Sequence, residues 1–244
     1  MTTSKTRSVV SLCLETHFDF SKNLDRLLSL IDQTPEDAII VAPEVALSGF
    51  AYERFEEAAT FTEHALEKLL ECIHNRLLIF TAITQTNGAF YNVAYALHNG
   101  RILHRQAKSK LFALGNEHEY FNPGEEGDIA PFLFKGIKIG ILICFELRFK
   151  SLWQTMEGCD IIAVTAQWGK LRSDHFVTLT NALALMNQCY VIASDAANPD
   201  TSGMSGIITP FGGEIRNNGA ETLTSHFEAR TVASMRRYLN VGIE

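Results

Sequence analysis

The sequence contains no apolar run long enough to cross a membrane. A spanning helix needs about 20 consecutive apolar residues, and no segment of the 244 residues reaches that length. The first 20 residues hold a short apolar run broken by polar residues, without a cleavage site of small residues. They predict a first strand rather than a signal peptide. We therefore expect a cytoplasmic protein with no membrane partner.

Basic residues are also too few for a nucleic-acid partner. Lys and Arg number 21 against 28 Asp and Glu, which gives a formal net charge of -7. Proteins that bind nucleic acid neutralise phosphates with an excess of positive charge. The composition excludes that class of partner, and it indicates nothing about the substrate.

Cysteine shows no disulfide pattern. The chain has an odd number of cysteines and no CxxC pair, and the five positions are scattered: Cys13, Cys72, Cys144, Cys159 and Cys189. This usage is typical of a reducing compartment in which thiols stay free. No His and Cys residues cluster at zinc-ligand spacing, so no metal site is expected.

Linker sequence is missing as well, so we expect one domain over residues 1–244. Strand-like segments alternate with helix-like ones, which predicts a layered α/β fold. The second half repeats the alternation of strands and helices found in the first. Two similar halves of this kind are expected for two sheets packed face to face with helices outside. Strands are predicted near 9–14, 38–42, 77–84, 90–98, 101–105, 131–135, 137–143, 161–165, 190–195, 204–209 and 223–227.

Two segments carry helical spacing of apolar residues. The first helix is predicted to be capped by Ser21 and stopped by Thr34 before a proline. A second is centred on Leu66, Leu69 and Ile73. Two more are expected over 149–157 and 174–188.

Cys144 ends the apolar run 137–143, where a helix is expected to begin. The carboxyl end of a buried strand is a common ligand position in α/β sheets, and a helix N-terminus favours the reactive thiolate. Most cysteines in apolar strands are small core residues. Position alone therefore favours a structural role for Cys144.

Two further charged residues follow predicted strands. Glu44 comes after strand 38–42 and a proline, where a buried carboxylate could act as a general base; a loop carboxylate facing water is the alternative. Lys108 follows strand 101–105 and could hold an oxyanion beside a thiolate, although a surface lysine is the commoner case. Glu117 lies in the turn-rich loop 115–124, and loops of this length are often functional.

Taken together, four segments resemble the signature regions of the carbon–nitrogen hydrolase (nitrilase-like) superfamily. They occur in the order of that family and at similar spacings, which makes the likeness specific although each segment alone is weak. The segments are Pro43-Glu44 with Ser48-Gly49-Phe50, Lys108-x-x-Leu111-Phe112, Glu117-x-x-Tyr120-Phe121-x-Pro123-Gly124, and Ile143-Cys144-Phe145-Glu146-x-Arg148-Phe149.

The resemblance implies a role for each matched residue. Cys144 corresponds to a nucleophile that forms a thioester with the substrate. Glu44 corresponds to its general base, and Glu117 to a second carboxylate that positions substrate or the deacylating water. Lys108 and the backbone N–H of Phe145 would share the oxyanion. No cofactor or metal is implied.

The resemblance also implies a fold and a reaction class. The family fold is a four-layer α-β-β-α sandwich of two similar halves, commonly assembled through helices, so a homodimer or higher homo-oligomer is expected. Phe145 stands where true nitrilases usually have tryptophan, which favours the amidase branch. The expected reaction is hydrolysis of a small-molecule linear amide to a carboxylic acid and ammonia. An N-carbamoyl amidohydrolase, a nitrilase and a non-catalytic scaffold that binds a partner remain alternatives.

Substrate choice depends on the walls of the pocket. The residues expected to bind substrate are Phe112, Phe145, Gln167 and Trp168. Tyr52 is a further candidate for the wall. For Phe112, Gln167, Trp168 and Tyr52 alike, simple packing is the alternative. Arg148 is expected to pair with a carboxylate rather than to contact substrate.

Overall fold

The computed structural model describes residues 6–243 and is built on two six-stranded mixed sheets. The first sheet contains β1 (Thr6–Leu12), β2 (Ile39–Val41), β3 (Leu77–Thr86), β4 (Ala89–His98), β5 (Arg101–Ala107) and β12 (Thr222–Glu228). The second contains β6 (Phe132–Phe134), β7 (Ile137–Ile143), β8 (Ile161–Ala166), β9 (Tyr190–Asp195), β10 (Gly206–Ile208) and β11 (Glu214–Arg216). The strand orders are β12-β1-β2-β3-β4-β5 and β11-β10-β9-β8-β7-β6.

Each sheet has three parallel strands at its centre. In the first sheet β1, β2 and β3 are parallel, and in the second β7, β8 and β9 are. Pairings outside these centres are antiparallel. The carboxyl ends of parallel strands meet at one edge of a sheet, which is where α/β folds commonly build their sites.

The main core lies between the two sheets. Successive side chains of a strand point to opposite faces, and burial follows that period. Val9 and Ile39 belong to the same apolar cluster as Ile139 of the second sheet. Their neighbours Val10 and Ile40 instead join the cluster under the outer helices of the first sheet.

Helices cover the outer face of each sheet. The helices of the described part are α1 (Phe20–Gln33), α2 (Phe55–Cys72), α3 (Glu117–Tyr120), α4 (Lys150–Thr155), α5 (Ser173–Met186) and α6 (Ala229–Tyr238). Leu27 of α1 and Leu69 of α2 pack on the first sheet. Leu152 of α4 and Phe176 of α5 pack against the second. The predicted four-layer α-β-β-α arrangement is therefore confirmed.

The ends of α1 show one correct and one wrong prediction. Asp19, not Ser21, caps the helix: its carboxylate accepts the backbone N–H of Ser21 and of Lys22. An acceptor side chain in front of the first turn satisfies N–H groups that lack an intrahelical partner. At the other end the backbone N–H of Thr34 closes on Ile31, as predicted.

Helix α2 begins well before its predicted centre. Its first half is rich in alanine, threonine and glutamate, and without leucines it lacks the spacing that marked Leu66 to Ile73. Helix α6 and strand β11 were not predicted at all. The predicted domain spans residues 1–244, of which 1–5 and 244 lie outside the described residues. None of the helices within residues 6–243 is long and apolar enough to cross a membrane.

Candidate active site

Four of the predicted residues meet at the carboxyl ends of the strands. Glu44 follows β2, Lys108 follows β5 and Cys144 follows β7, while Glu117 is the first residue of α3. Glu44 and Lys108 are fully buried, and Glu117 and Cys144 are nearly so. Residues 100 positions apart in sequence are thus gathered into one buried cluster between the two sheets.

Lys108 is the centre of this cluster. Its Nζ donates to Oε1 of Glu44 at 2.7 Å and to Oε1 of Glu117 at 2.8 Å. Burial lowers the pKa of Lys108. The charges of the two carboxylates raise that pKa by more, so it lies above its ordinary value. An ammonium group has three N–H donors, so one donor remains beyond the two that the carboxylates accept.

Both sheets hold the carboxylate of Glu44. Its Oε1 also accepts from Nδ2 of Asn92 on β4 at 2.8 Å, and its Oε2 accepts the backbone N–H of Gln167 after β8 at 3.1 Å. Because both oxygens are engaged, the side chain has one defined orientation. Asn92 had no role in the sequence prediction, since nothing near it in the chain indicates a site.

Glu117 is fixed in the same way by its second oxygen. Oε2 accepts the backbone N–H of Phe112 at 2.9 Å. Burial raises the pKa of Glu117 above its usual value, and the neighbouring Glu44 raises it further, against the opposing charge of Lys108. A proton on this carboxyl group is therefore easier to keep than on an exposed glutamate.

Cys144 opens a 3-10 helix (Cys144–Arg148) in a strained backbone conformation. Its φ of 48° lies in the left-handed region, which residues with a side chain rarely adopt and which the surroundings must hold in place. Glu146 supplies that hold. Its Oε2 accepts the backbone N–H of Ile143 at 2.8 Å and its Oε1 accepts that of Ser109 at 2.7 Å.

The bonds of Glu146 tie the turn at Cys144 to the segment that carries Lys108. The sequence motif contained Glu146, but no role was predicted for it. Its position two residues after the cysteine was the available signal.

The thiol of Cys144 keeps its proton in the resting protein. Burial raises its pKa well above the ordinary value, and the nearby carboxylates, with a hydrogen bond from the thiol to Glu44, raise it further. Lys108 acts in the opposite direction but is outweighed. Because the thiolate is the nucleophilic form, attack by this sulfur requires a base, and Glu44 is in contact with its proton.

A cavity of about 800 Å³ opens onto Cys144 and Glu117. All four residues predicted to bind substrate line it: Phe112, Phe145, Gln167 and Trp168. Tyr52 lines it too. Their role in substrate binding stays a prediction. Within residues 6–243, no three or more His, Cys, Asp or Glu side chains are grouped as a metal ion would need.

Asp195 positions one wall of the cavity and was missed by the sequence prediction. Its Oδ1 accepts the backbone N–H of Trp168 at 2.7 Å, and its Oδ2 accepts from the Ser202 hydroxyl and from the backbone N–H of Gly203. Burial raises the pKa of Asp195 to about 7, although these hydrogen bonds lower it. A single acid at the end of an apolar strand gave no signal of this role.

Arg148 lines the cavity and has no carboxylate partner among residues 6–243, so the predicted ion pair was wrong. Its guanidinium donates to Nδ1 of His175 at 3.0 Å and lies over the Trp168 ring, 4.9 Å from the centroid. Arg172, which the sequence prediction missed, lines the same cavity over the ring of Phe112.

Comparison with known proteins identifies the family of this chain. The sequence profile described as carbon-nitrogen hydrolase matches residues 8–237. A 2-oxoglutaramate amidase of Bacillus subtilis is 28% identical over 225 residues, which cover 86% of each chain. A deaminated glutathione amidase of Escherichia coli O157:H7 is 31% identical over 206 residues, which cover 79% of each chain.

Solved structures share the fold. A carbon–nitrogen hydrolase superfamily protein of Xanthomonas campestris superimposes with a TM-score of 0.84 at 22% identity, covering 96% of this chain and 95% of that one. The resemblance seen in the four sequence segments is confirmed by the profile match, which spans nearly the whole chain. The chain therefore belongs to the carbon–nitrogen hydrolase family.

Proposed function

We propose that this enzyme is a cysteine-dependent amidase, which hydrolyses the C–N bond of a small linear amide to a carboxylic acid and ammonia. One observation carries the proposal. The thiol of Cys144 opens to a cavity and lies near Glu44, in a buried set that also holds Lys108 and Glu117. A thiol, a base in contact with it and an unused cationic donor are the groups that acyl transfer requires.

The acylation step uses the thiol and Glu44. As sulfur attacks the amide carbon, the thiol proton passes to the Glu44 carboxylate, so no free thiolate has to form in a buried site. The third N–H of Lys108 and the backbone N–H of Phe145 donate to the developing oxyanion. Backbone N–H groups at the start of a helix lack intrahelical acceptors. When the C–N bond breaks, Glu44 returns the proton to nitrogen and ammonia leaves.

In deacylation a water molecule is the nucleophile and the cysteine sulfur is the leaving group. Water attacks the thioester carbon and gives a proton to Glu44, and the same two donors hold the oxyanion. The C–S bond then breaks, the sulfur takes the proton back from Glu44, and the carboxylic acid leaves. Glu117 accepts a second N–H of Lys108 and lines the cavity, so it positions Lys108 and the substrate rather than exchanging the transferred proton.

The relatives support an amide as the substrate class. Two relatives that align over most of their length are named as amidases, one for 2-oxoglutaramate and one for deaminated glutathione. In both names the reaction is hydrolysis of an amide, and neither names a nitrile or a carbamoyl compound. Phe145 in place of tryptophan after the nucleophile points the same way.

Ammonia release across a panel of small amides, carbamoyl compounds and nitriles tests this proposal. We expect activity on amides in the wild type and none in Cys144→Ala, with a mass increase on the wild-type protein that matches a thioester. Cys72→Ala is the matched control, because Cys72 is an exposed thiol that does not line the cavity. Wild-type turnover in Cys144→Ala would refute the mechanism. A thiol that resists alkylation, with no turnover of any compound, would favour a non-catalytic scaffold.

A further inference from the structure

Two arginines on the cavity wall, Arg148 and Arg172, form no ion pair with a carboxylate of residues 6–243. The same is true of four arginines that do not line the cavity: Arg76, Arg101, Arg105 and Arg237. Six others form ion pairs with carboxylates: Arg7, Arg26, Arg54, Arg216, Arg230 and Arg236. Arg148 and Arg172 both line the cavity that contains Cys144.

The contacts that these two side chains do make are with rings rather than with carboxylates. Arg148 reaches a ring nitrogen of His175 and lies over Trp168. Arg172 lies over Phe112, with its Cζ 5.2 Å from the ring centroid. Such stacking orients a guanidinium and leaves its charge uncompensated, with its in-plane N–H donors available.

The two positive charges also act on each other. The pKa of Arg148 lies below its ordinary value, first because of partial burial and then because of the charge of Arg172. Cys144 is near enough to influence the same guanidinium. Like charges held at one wall without a counterion repel, and an anion between them would relieve that repulsion.

Gly169 leaves the room that Arg172 occupies. A Cβ atom at this position would lie 2.7 Å from the guanidinium of Arg172. The backbone of Gly169, with φ of -60°, is one that any residue can adopt. The glycine is therefore not required by the turn, and its effect is to let the guanidinium lie against the cavity wall.

Acidic residues on the same cavity do not supply the missing partner. Glu117 is bound to Lys108 and to a backbone N–H. Glu53 and Asp200 line the cavity but form no ion pair with either arginine. Neither of them is among the charges that act on Arg148, which are those of Arg172 and Cys144.

We propose that Arg148 and Arg172 bind a carboxylate of the substrate, so that the substrates are short amides with a carboxylate at the end opposite the amide. This inference rests on the proposed amidase function, because it places the amide carbon at Cys144. A guanidinium fork binds a carboxylate through two parallel hydrogen bonds. The products are then a dicarboxylic acid and ammonia.

Matched pairs of amides isolate the contribution of the carboxylate. Malonamate, succinamate and glutaramate are compared with propanamide, butanamide and pentanamide, which have the same number of carbons and no charge. The proteins are the wild type, Arg148→Gln, Arg172→Gln and Lys170→Gln. The last is the control, because Lys170 carries the same charge on the same segment but does not line the cavity.

We expect each arginine variant to lose about 10- to 100-fold in kcat/KM for the charged amides, the range of a lost charge-assisted hydrogen bond. Most of that loss is expected in KM, with the neutral amides little changed. Lys170→Gln is expected to match the wild type on both series. An equal loss on charged and neutral amides would overturn the inference, as would a wild type that shows no preference for the charged series.

Calorimetric binding of glutarate and succinate to Cys144→Ala separates this inference from the proposed function. Loss of that binding on adding either arginine substitution supports the carboxylate site even if no amide is turned over. Cys144-dependent turnover of neutral amides, without any dicarboxylate binding, would leave the amidase proposal standing and overturn this one.

Discussion

The positive charges around the cavity fall into two groups that differ in how they are compensated. Lys108 is fully buried and holds two carboxylates of the chain, Glu44 and Glu117. Arg148 and Arg172 lie on the wall, partly open to solvent, and hold no carboxylate among residues 6–243. The protein itself supplies the counterions of the first group, whereas the second group faces the space that a ligand would occupy.

The burial of each group decides how much the removal of one of its charges changes the stability of the protein. Removing one member of a buried ion pair leaves an uncompensated charge in a low-dielectric site, at a cost of several kcal/mol. A charge on an open wall is screened by water and ions, so removing it changes stability little. We call Lys108 with Glu44 and Glu117 the inner group, and Arg148 with Arg172 the outer group. We therefore expect the inner group to control both stability and turnover, and the outer group to control which substrates bind.

Among the variants that test this comparison, Lys108→Met is expected to have the largest effect. The side chain keeps a similar volume, but Glu44 and Glu117 lose their shared cation. We expect a loss of about 3–5 kcal/mol in the free energy of unfolding at pH 8. Turnover is expected to fall by at least about 10²- to 10³-fold, the usual cost of one oxyanion donor. Urea unfolding and ammonia release measure the two effects.

Two further variants sharpen that result. The triple variant Glu44→Gln, Lys108→Met and Glu117→Gln removes all three charges together, and we expect it to recover much of the stability without recovering turnover. The free energy of unfolding of Arg172→Gln is expected to lie within about 0.5 kcal/mol of the wild-type value. Equal losses of stability in Lys108→Met and Arg172→Gln would break the distinction between the two groups.

The inner group could be predicted from sequence because each member lies in a local signature. Glu44, Lys108 and Cys144 each follow a strand whose apolar run is visible, and Glu117 lies in a recognisable turn-rich loop. Their spacing carried the family resemblance that the profile match confirms. The layered fold was predictable for a related reason, since alternating strands and helices leave few ways to bury their apolar faces.

The outer group and the supporting residues depend on contacts that no local pattern reveals. Asp195 holds Trp168 from 27 residues away, and Glu146 holds Ser109 from 37 residues away. Arg172 became a candidate only when the structure placed it near Arg148 on the wall of the cavity. Homo-oligomer formation and the cytoplasmic location stay predictions.

Asp195 offers a smaller test, because it is a buried carboxylate held by neutral donors rather than by a cation. Its folded-state pKa of about 7 exceeds the value near 4 of an unfolded chain. Between those values the native state keeps a proton that the unfolded state has lost. Stability therefore falls as pH rises from about 4 to about 7, by at most about 1.4 kcal/mol per pH unit from this group.

Asp195→Asn removes that dependence. The Nδ2 group that replaces Oδ2 cannot accept the backbone N–H of Gly203, so we expect a cost of about 1–3 kcal/mol in the free energy of unfolding at pH 5. The gap to the wild type is expected to close as pH rises to 8, because only the wild type loses stability through this group. Urea unfolding at several pH values measures the gap. Parallel stability curves for the two proteins would show that Asp195 is ionised throughout.

Gly169→Ala is expected to have the smallest effect, because it displaces one arginine of the outer group without removing its charge. The backbone of Gly169 accepts alanine, but the added Cβ would lie 2.7 Å from the Arg172 guanidinium and displace it. We expect KM for carboxylate-bearing amides to rise by less than about tenfold, since the displaced arginine keeps its charge and loses only its alignment. Unfolding by urea and turnover of neutral amides are expected to match the wild type. If KM rose equally for charged and neutral amides, the glycine would serve the shape of the cavity, and the arginine wall would have no separate part in choosing the substrate.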